Sequence, residues 1–215
     1  MTYLELMNNV LRRLREDTVV SVTETDYAQL VGDFVNDAKR IVEDSYQWEA
    51  LRQEYIFNTV DGTDTYTLTN LSNRSKILNV YNETESREMT QRPLSWIRSK
   101  KLANPTRTGT PADYAFNGLD ASGDTKICFW DVPDGVYSMN VLAVVPQDNL
   151  VNATDVVLAP ASPIIHLSLA MLARERGETG GTSTAEYFQM ADKYLRDAIA
   201  VEAARHEDEL IYFTV

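Results

Sequence analysis

At 215 residues, 44% hydrophobic and 24% charged, the chain has material for one large domain or two small ones, which excludes a disordered or fibrous protein. Its net charge of −12 is the reverse of what tight nucleic-acid binding uses, although a surface that DNA must pass without sticking gains from such repulsion. The lone Cys128 excludes an intrachain disulfide, and neither a membrane-length apolar run nor a secretory start is present, so a cytoplasm-like compartment is expected.

Thr2 followed by Glu5 spells a capping box, with Leu4, Met7, Leu11 and Leu14 at helical spacing to about Arg15. Residues 17–23 are β-branched and read as an extended connector. A second helix, capped by Thr25 or Thr23, carries Tyr27, Leu30, Val31, Phe34, Ala38, Ile41, Val42 and Trp48 on one face. Asp33, Asp37, Lys39, Arg40 and Glu43 are assigned to the polar face. Phe34 and Trp48 are the core candidates, each expected to cost about 3–5 kcal/mol on loss.

From about Gln53 the period changes to two. Glu54–Val60, the turn at Asp61-Gly62-Thr63 and Asp64–Thr69 predict a β-hairpin. Further strands are expected at Lys76–Tyr81, Ser86–Thr90, Asp113–Asn117, Lys126–Trp130 and Tyr137–Val145, the last two joined by the Pro-Asp-Gly turn in Asp131–Gly135. Pro93–Leu102 reads as a short helix, and 103–112 as an exposed loop bearing Arg107, Thr108 and Pro111. Such a block suggests a small sandwich or open barrel set between helices.

Pro146–Asp155 reads as a polar linker. A third helix starts near Ser162-Pro163 and stops at Gly177, and a fourth, capped by Ser183 with Glu186, presents Phe188, Ala191, Leu195, Ala198 and Ile199. The short turn between them predicts an antiparallel helical hairpin. The chain ends on an acidic cluster followed by the apolar tail Leu210-Ile211-Tyr212-Phe213-Thr214-Val215. The fold class is therefore α+β: an antiparallel helical bundle with an inserted small antiparallel β domain. The division is 1–52 helical, 53–146 β-rich, 147–205 helical and 206–215 tail. No internal repeat is visible.

The sequence offers little chemistry. Two histidines, His166 and His206, are too few for HExxH or Cys/His zinc sites, and no G-x-S-x-G elbow exists. His166 lies in an apolar helix and His206 beside acids, so a core or interface position and an ion pair are their plain readings. Cys128, within Ile127–Trp130, reads as a buried thiol without a basic neighbour. Gly177-Glu-Thr-Gly180-Gly181 lacks the lysine and preceding strand of a phosphate loop and reads as a helix stop. Carboxylates are numerous, so a pair of them fit for glycoside hydrolysis would prove nothing. No cofactor, metal or catalytic residue is assigned.

Several segments in order resemble a known group: Met1–Glu16, Val31–Asp44 with Trp48, Phe116–Asp124, Pro133–Tyr137 and Leu172–Glu178. The likeness is to tailed-phage head-to-tail adaptors, the connector group that includes tail tubular protein A, and it runs over essentially the whole chain. It implies a non-catalytic virion subunit, made in the host cytoplasm, in a dodecameric ring between the portal ring and a downstream tail protein, nozzle or stopper. Double-stranded DNA would pass through on ejection without specific binding, and the free chain could be monomeric. The resemblance makes Leu210, Ile211, Tyr212 and Phe213 a portal-docking arm. It makes the loop with Arg107, Thr108 and Pro111 a subunit or tail interface. Some adaptors are linked to cell-wall or polysaccharide hydrolysis, which no motif here carries over. A tail-associated hydrolase using paired carboxylates, and a binding module without ring symmetry, are the alternative classes.

Overall fold

Thr2 and Glu5 close the reciprocal cap that their spacing predicts: the Glu5 amide donates to Thr2 Oγ1 (3.3 Å) and the Thr2 amide to Glu5 Oε2 (2.9 Å). In the computed structural model, which describes residues 1–177 and 182–205, this cap starts α1 (Tyr3–Arg13). Its buried stripe is Leu6, Met7, Val10 and Leu11 with Tyr3, so the face is centred beside Leu4 and Leu14, which are half-buried. The connector at 17–23 forms no strand.

Thr25 caps α2 (Asp26–Ser45), its Oγ1 accepting from the Ala28 amide at 3.0 Å. Here the sequence pattern misleads. The buried face is Ala28, Val31, Gly32, Val35, Ala38, Lys39, Val42 and Glu43, whereas Ile41 is exposed and Phe34 half-buried. Small residues rather than large ones mark the inner side because α1 lies close: a Cβ on Gly32 would collide with the Tyr3 hydroxyl. Trp48 lies beyond the end of the helix, and its Nε1 donates back to the Val42 carbonyl at 2.7 Å.

The expected polar linker is instead pinned to both helices. Lys39 Nζ donates to the carbonyls of Gln147 (2.8 Å) and Asp148 (3.0 Å), while Asn36 exchanges hydrogen bonds with both backbone groups of Leu150. The Tyr3 amide donates to the Asp155 carbonyl and the Leu4 amide to that of Ala153, which satisfies two of the first-turn donors of α1. Leu150, Val157 and Ala159 bury their side chains.

Pro160, which offers no side-chain cap, precedes α4 (Ala161–Glu175), so the expected start at Ser162-Pro163 lies inside the first turn. Gly177 takes a left-handed φ of 71° just past the helix end. The partner helix α5 (Thr182–Ala203) runs antiparallel to α4: His166 stacks on Tyr194 (3.8 Å between rings) while Arg174 lies over Phe188 (5.7 Å). Only Ala191 and Glu202 of its described side chains are buried, with Phe188, Leu195, Ala198 and Ile199 half-buried. Packing divides the chain into two compact units: Met1–Ala50 with the chain from Gln147 onward, and Leu51–Pro146.

The second unit holds β1 (Arg52–Asn58), β2 (Thr65–Ser72), β3 (Lys76–Asn82), β4 (Arg87–Glu88), β5 (Thr90–Gln91), α3 (Leu94–Ala103), β6 (Asp113–Leu119), β7 (Asp124–Trp130) and β8 (Ser138–Val144). Two four-stranded sheets run β1-β8-β3-β4 and β2-β7-β6-β5. The predicted β1–β2 hairpin does not form. Each strand pairs antiparallel with a distant partner, β8 and β7 respectively, and the chain crosses between sheets at 59–64. A matching crossing at 131–137 meets it, with the Thr59 amide donating to the Tyr137 carbonyl (2.9 Å) and that of Gly62 to Pro133 (2.8 Å). The single strand expected over Ser86–Thr90 is split at buried Met89, where the chain again changes sheet. Its second half pairs parallel with β6, so the unit is not purely antiparallel.

Side-chain alternation fills two layers. Leu68, Val80, Ile127, Phe129, Met139 and Val141 lie between the sheets, and Cys128, Trp130 and Ala115 on the reverse face pack against Ile97 of α3. No helix among the described residues is long and apolar enough to cross a membrane.

Candidate interaction surfaces

The 103–112 loop is fixed at its base and open at its tip. The Gly109 amide donates to the Val132 carbonyl (2.9 Å) and the Ala112 amide to that of Trp130 (3.1 Å), and Thr108 forms a parallel bridge with Val132. Arg107 forks onto Asp131, Nε to Oδ1 at 2.8 Å and Nη2 donating to Oδ2 at 3.0 Å, while its side chain stays 60% exposed. Thr108 is exposed, but Pro111 is buried and offers no surface to a partner.

Residues 89–112 hold Arg92, Arg98, Lys100, Lys101 and Arg107 and no acid, in a chain with 32 acids. On α3, Trp96 lies between Arg92 and Lys100, each 5.2 Å from the ring. Arg92 pairs with Asp113 (2.8 Å) and Lys101 with Asp64. Lys101 also lies 4.0 Å from Cys128 Sγ, a basic neighbour the sequence did not reveal. Burial still pushes the Cys128 thiol up, against the pull of Lys101. For Asp64, burial raises the carboxyl, and hydrogen bonds from Lys101 and Thr65 outweigh it and bring the group below its ordinary value. The trio is a packed polar contact with its thiol in the protonated form.

On the helical unit, an open groove of about 410 Å³ is lined by Trp48, Leu158, Pro160, Tyr194, Ala198 and Val201 and reaches Arg205. No motif in the sequence announces it, because its walls come from segments more than a hundred residues apart. His166 lies behind it, donating Nδ1–H to the Ser162 carbonyl at 2.8 Å with its ring on Tyr194. Burial lowers its basicity, the Ser162 contact opposes this, and Arg13 adds repulsion. The unfolded chain, with a histidine near 6.5, therefore takes up the proton first as pH falls. We expect stability to decline as pH drops below about 6.5, and a His166→Gln variant to lose less between pH 7.5 and 5.5 in urea denaturation. Equal losses would remove His166 as the cause.

Among the described residues, no group of three or more His, Cys, Asp or Glu side chains could hold a metal ion. Leu210, Ile211, Tyr212, Phe213 and His206 lie outside the described residues, and Phe34 and Trp48 stand in the helical unit as given above. No curated protein matches the chain. A family model, described as SU10 adaptor protein, matches residues 1–209.

Proposed function

The chain belongs to the SU10 adaptor protein family and is thus a structural adaptor protein of a phage virion, and from that premise we propose that it forms the ring joining the portal to the next tail component. The match over residues 1–209 carries this reading. In the finer reading the subunit is of the tail tubular protein A type, dodecameric in the virion, non-catalytic, and monomeric when free. Its helices form the antiparallel bundle, 53–146 is the inserted domain, and DNA passes through the ring.

The distribution of charge supports a conduit. Of 20 basic and 32 acidic residues, ten and eleven fall in 51–146, leaving ten and 21 in the helical segments. The helical unit thus carries nearly all the net negative charge, which repels DNA phosphates and lowers friction in a lining. The β unit, with Arg107 and Thr108 at an exposed tip, meets a neighbouring subunit or the tail. The terminal Leu210–Phe213 segment docks on the portal.

Mixing the protein with the portal ring of the same phage and imaging by electron microscopy is expected to show a second ring stacked on the first. Deleting Leu210–Val215 is expected to weaken that binding at least tenfold without unfolding the chain. No stacking, with both components well folded, would place the protein elsewhere in the tail.

A further inference from the structure

The groove beside α5 leaves apolar surface in water: Val201 is 60% exposed, Leu158 45% and Tyr194 37%. Along α5 the wall is Tyr194, Asp197, Ala198, Val201 and Glu202, the i, i+3, i+4, i+7 and i+8 positions of one helix face, and with Arg205 just past the helix end it spans roughly 16 Å. The groove's last wall residue, Arg205, is held to Glu202 at 3.2 Å and is also the last described residue. Ten residues follow it: the polar His206-Glu207-Asp208-Glu209, then Leu210–Val215.

We propose that, in the free chain, this groove is occupied by the chain's own terminal hexapeptide, Leu210–Val215. Length fits. Six extended residues span about 20 Å, close to the wall of α5, and a four-residue connection is of ordinary size for reversing the chain after a helix. Chemistry fits as well. In an extended segment alternate side chains share a face, so one face of the hexapeptide offers Ile211, Phe213 and Val215 to Leu158, Tyr194, Ala198 and Val201 of the groove. The tether fixes the choice of occupant: a short linker holds the hexapeptide at a local concentration on the order of millimolar, which a segment from a second copy cannot match in dilute solution. Occupancy of the groove and docking on a portal then exclude one another, so the free subunit keeps its own arm covered. This contact stands whether or not the portal assignment holds, because it is tested on the protein alone.

The test uses a fluorescently labelled synthetic peptide of residues 206–215, the full chain, and a chain truncated after Arg205 and checked for folding by circular dichroism. The peptide is expected to bind the truncated chain saturably, at least tenfold more weakly after Val201→Asp, and at least tenfold more weakly to the full chain. No binding to the folded truncated chain, equal binding after Val201→Asp, or equal binding to the full chain would overturn the proposal. A concentration-dependent dimer of the full chain that truncation abolishes would assign the groove to a second copy and also overturn it. Should truncation impair folding, the full chain with Val201→Cys and Phe213→Cys in a Cys128→Ser background is expected to form a disulfide within the monomer. Failure to crosslink under oxidation, with Arg12→Cys and Phe213→Cys as the comparison pair, sinks the idea.

Discussion

Replacing Lys39 by alanine is expected to destabilise the protein by about 3–5 kcal/mol, the range for removing one partner of a buried ion pair. Lys39 and Glu43 lie 3.0 Å apart with side chains 2% and 0% exposed. The lysine also supplies donors to the Gln147 and Asp148 carbonyls, and Glu43 accepts from the Gln147 amide at 3.3 Å. Alanine would remove the cation that lies 3.0 Å from the Glu43 carboxylate in a low-dielectric interior and take a donor from two carbonyls. The double variant Lys39→Met with Glu43→Leu removes both charges and is expected to recover more than half of the loss. Urea denaturation followed by circular dichroism reads both. A single-variant loss below about 1 kcal/mol would mean that water reaches the pair.

Trp48→Ala is the second large effect, expected at about 3–5 kcal/mol from lost burial and the cavity left behind. The indole is 1% exposed, bonds the Val42 carbonyl and meets Tyr46 edge-on at 5.4 Å. Phe34, equal to it as a core candidate in sequence, is only half-buried, and Phe34→Ala is expected to cost roughly 1–2 kcal/mol. The same denaturation experiment ranks them, and equal costs would show that partial burial misjudges Phe34.

Local signals in the sequence were reliable where the cause is local. The Thr2–Glu5 box, the Thr25 cap, the stop at Gly177 and most strand positions follow from neighbours within four residues. Long-range choices were not legible. Lys39 and Glu43 look like a solvated i,i+4 pair until the backbone at 147–148 arrives to use them. The turn at Asp61-Gly62-Thr63 reads as a hairpin because nothing nearby reveals that β8 and β7 compete for its two strands. Met89 gives no sign that the chain changes sheet there. The exposed loop at Arg107 and Thr108 was legible as a Pro/Gly/Thr-rich stretch, while the burial of Pro111 and the groove along α5 were not, since both depend on segments brought from afar.

The two ends of the β unit emerge side by side. Arg52 pairs with Val144 across β1 and β8, and the Val145 amide donates to the Leu51 carbonyl at 2.8 Å. An inserted block whose entry and exit are neighbouring strands asks nothing of its host except two adjacent attachment points. Such a block can be enlarged, shrunk or exchanged through evolution while the helices around it keep their sequence. Recombination at these two points would let one helical scaffold carry different β units to suit different neighbours.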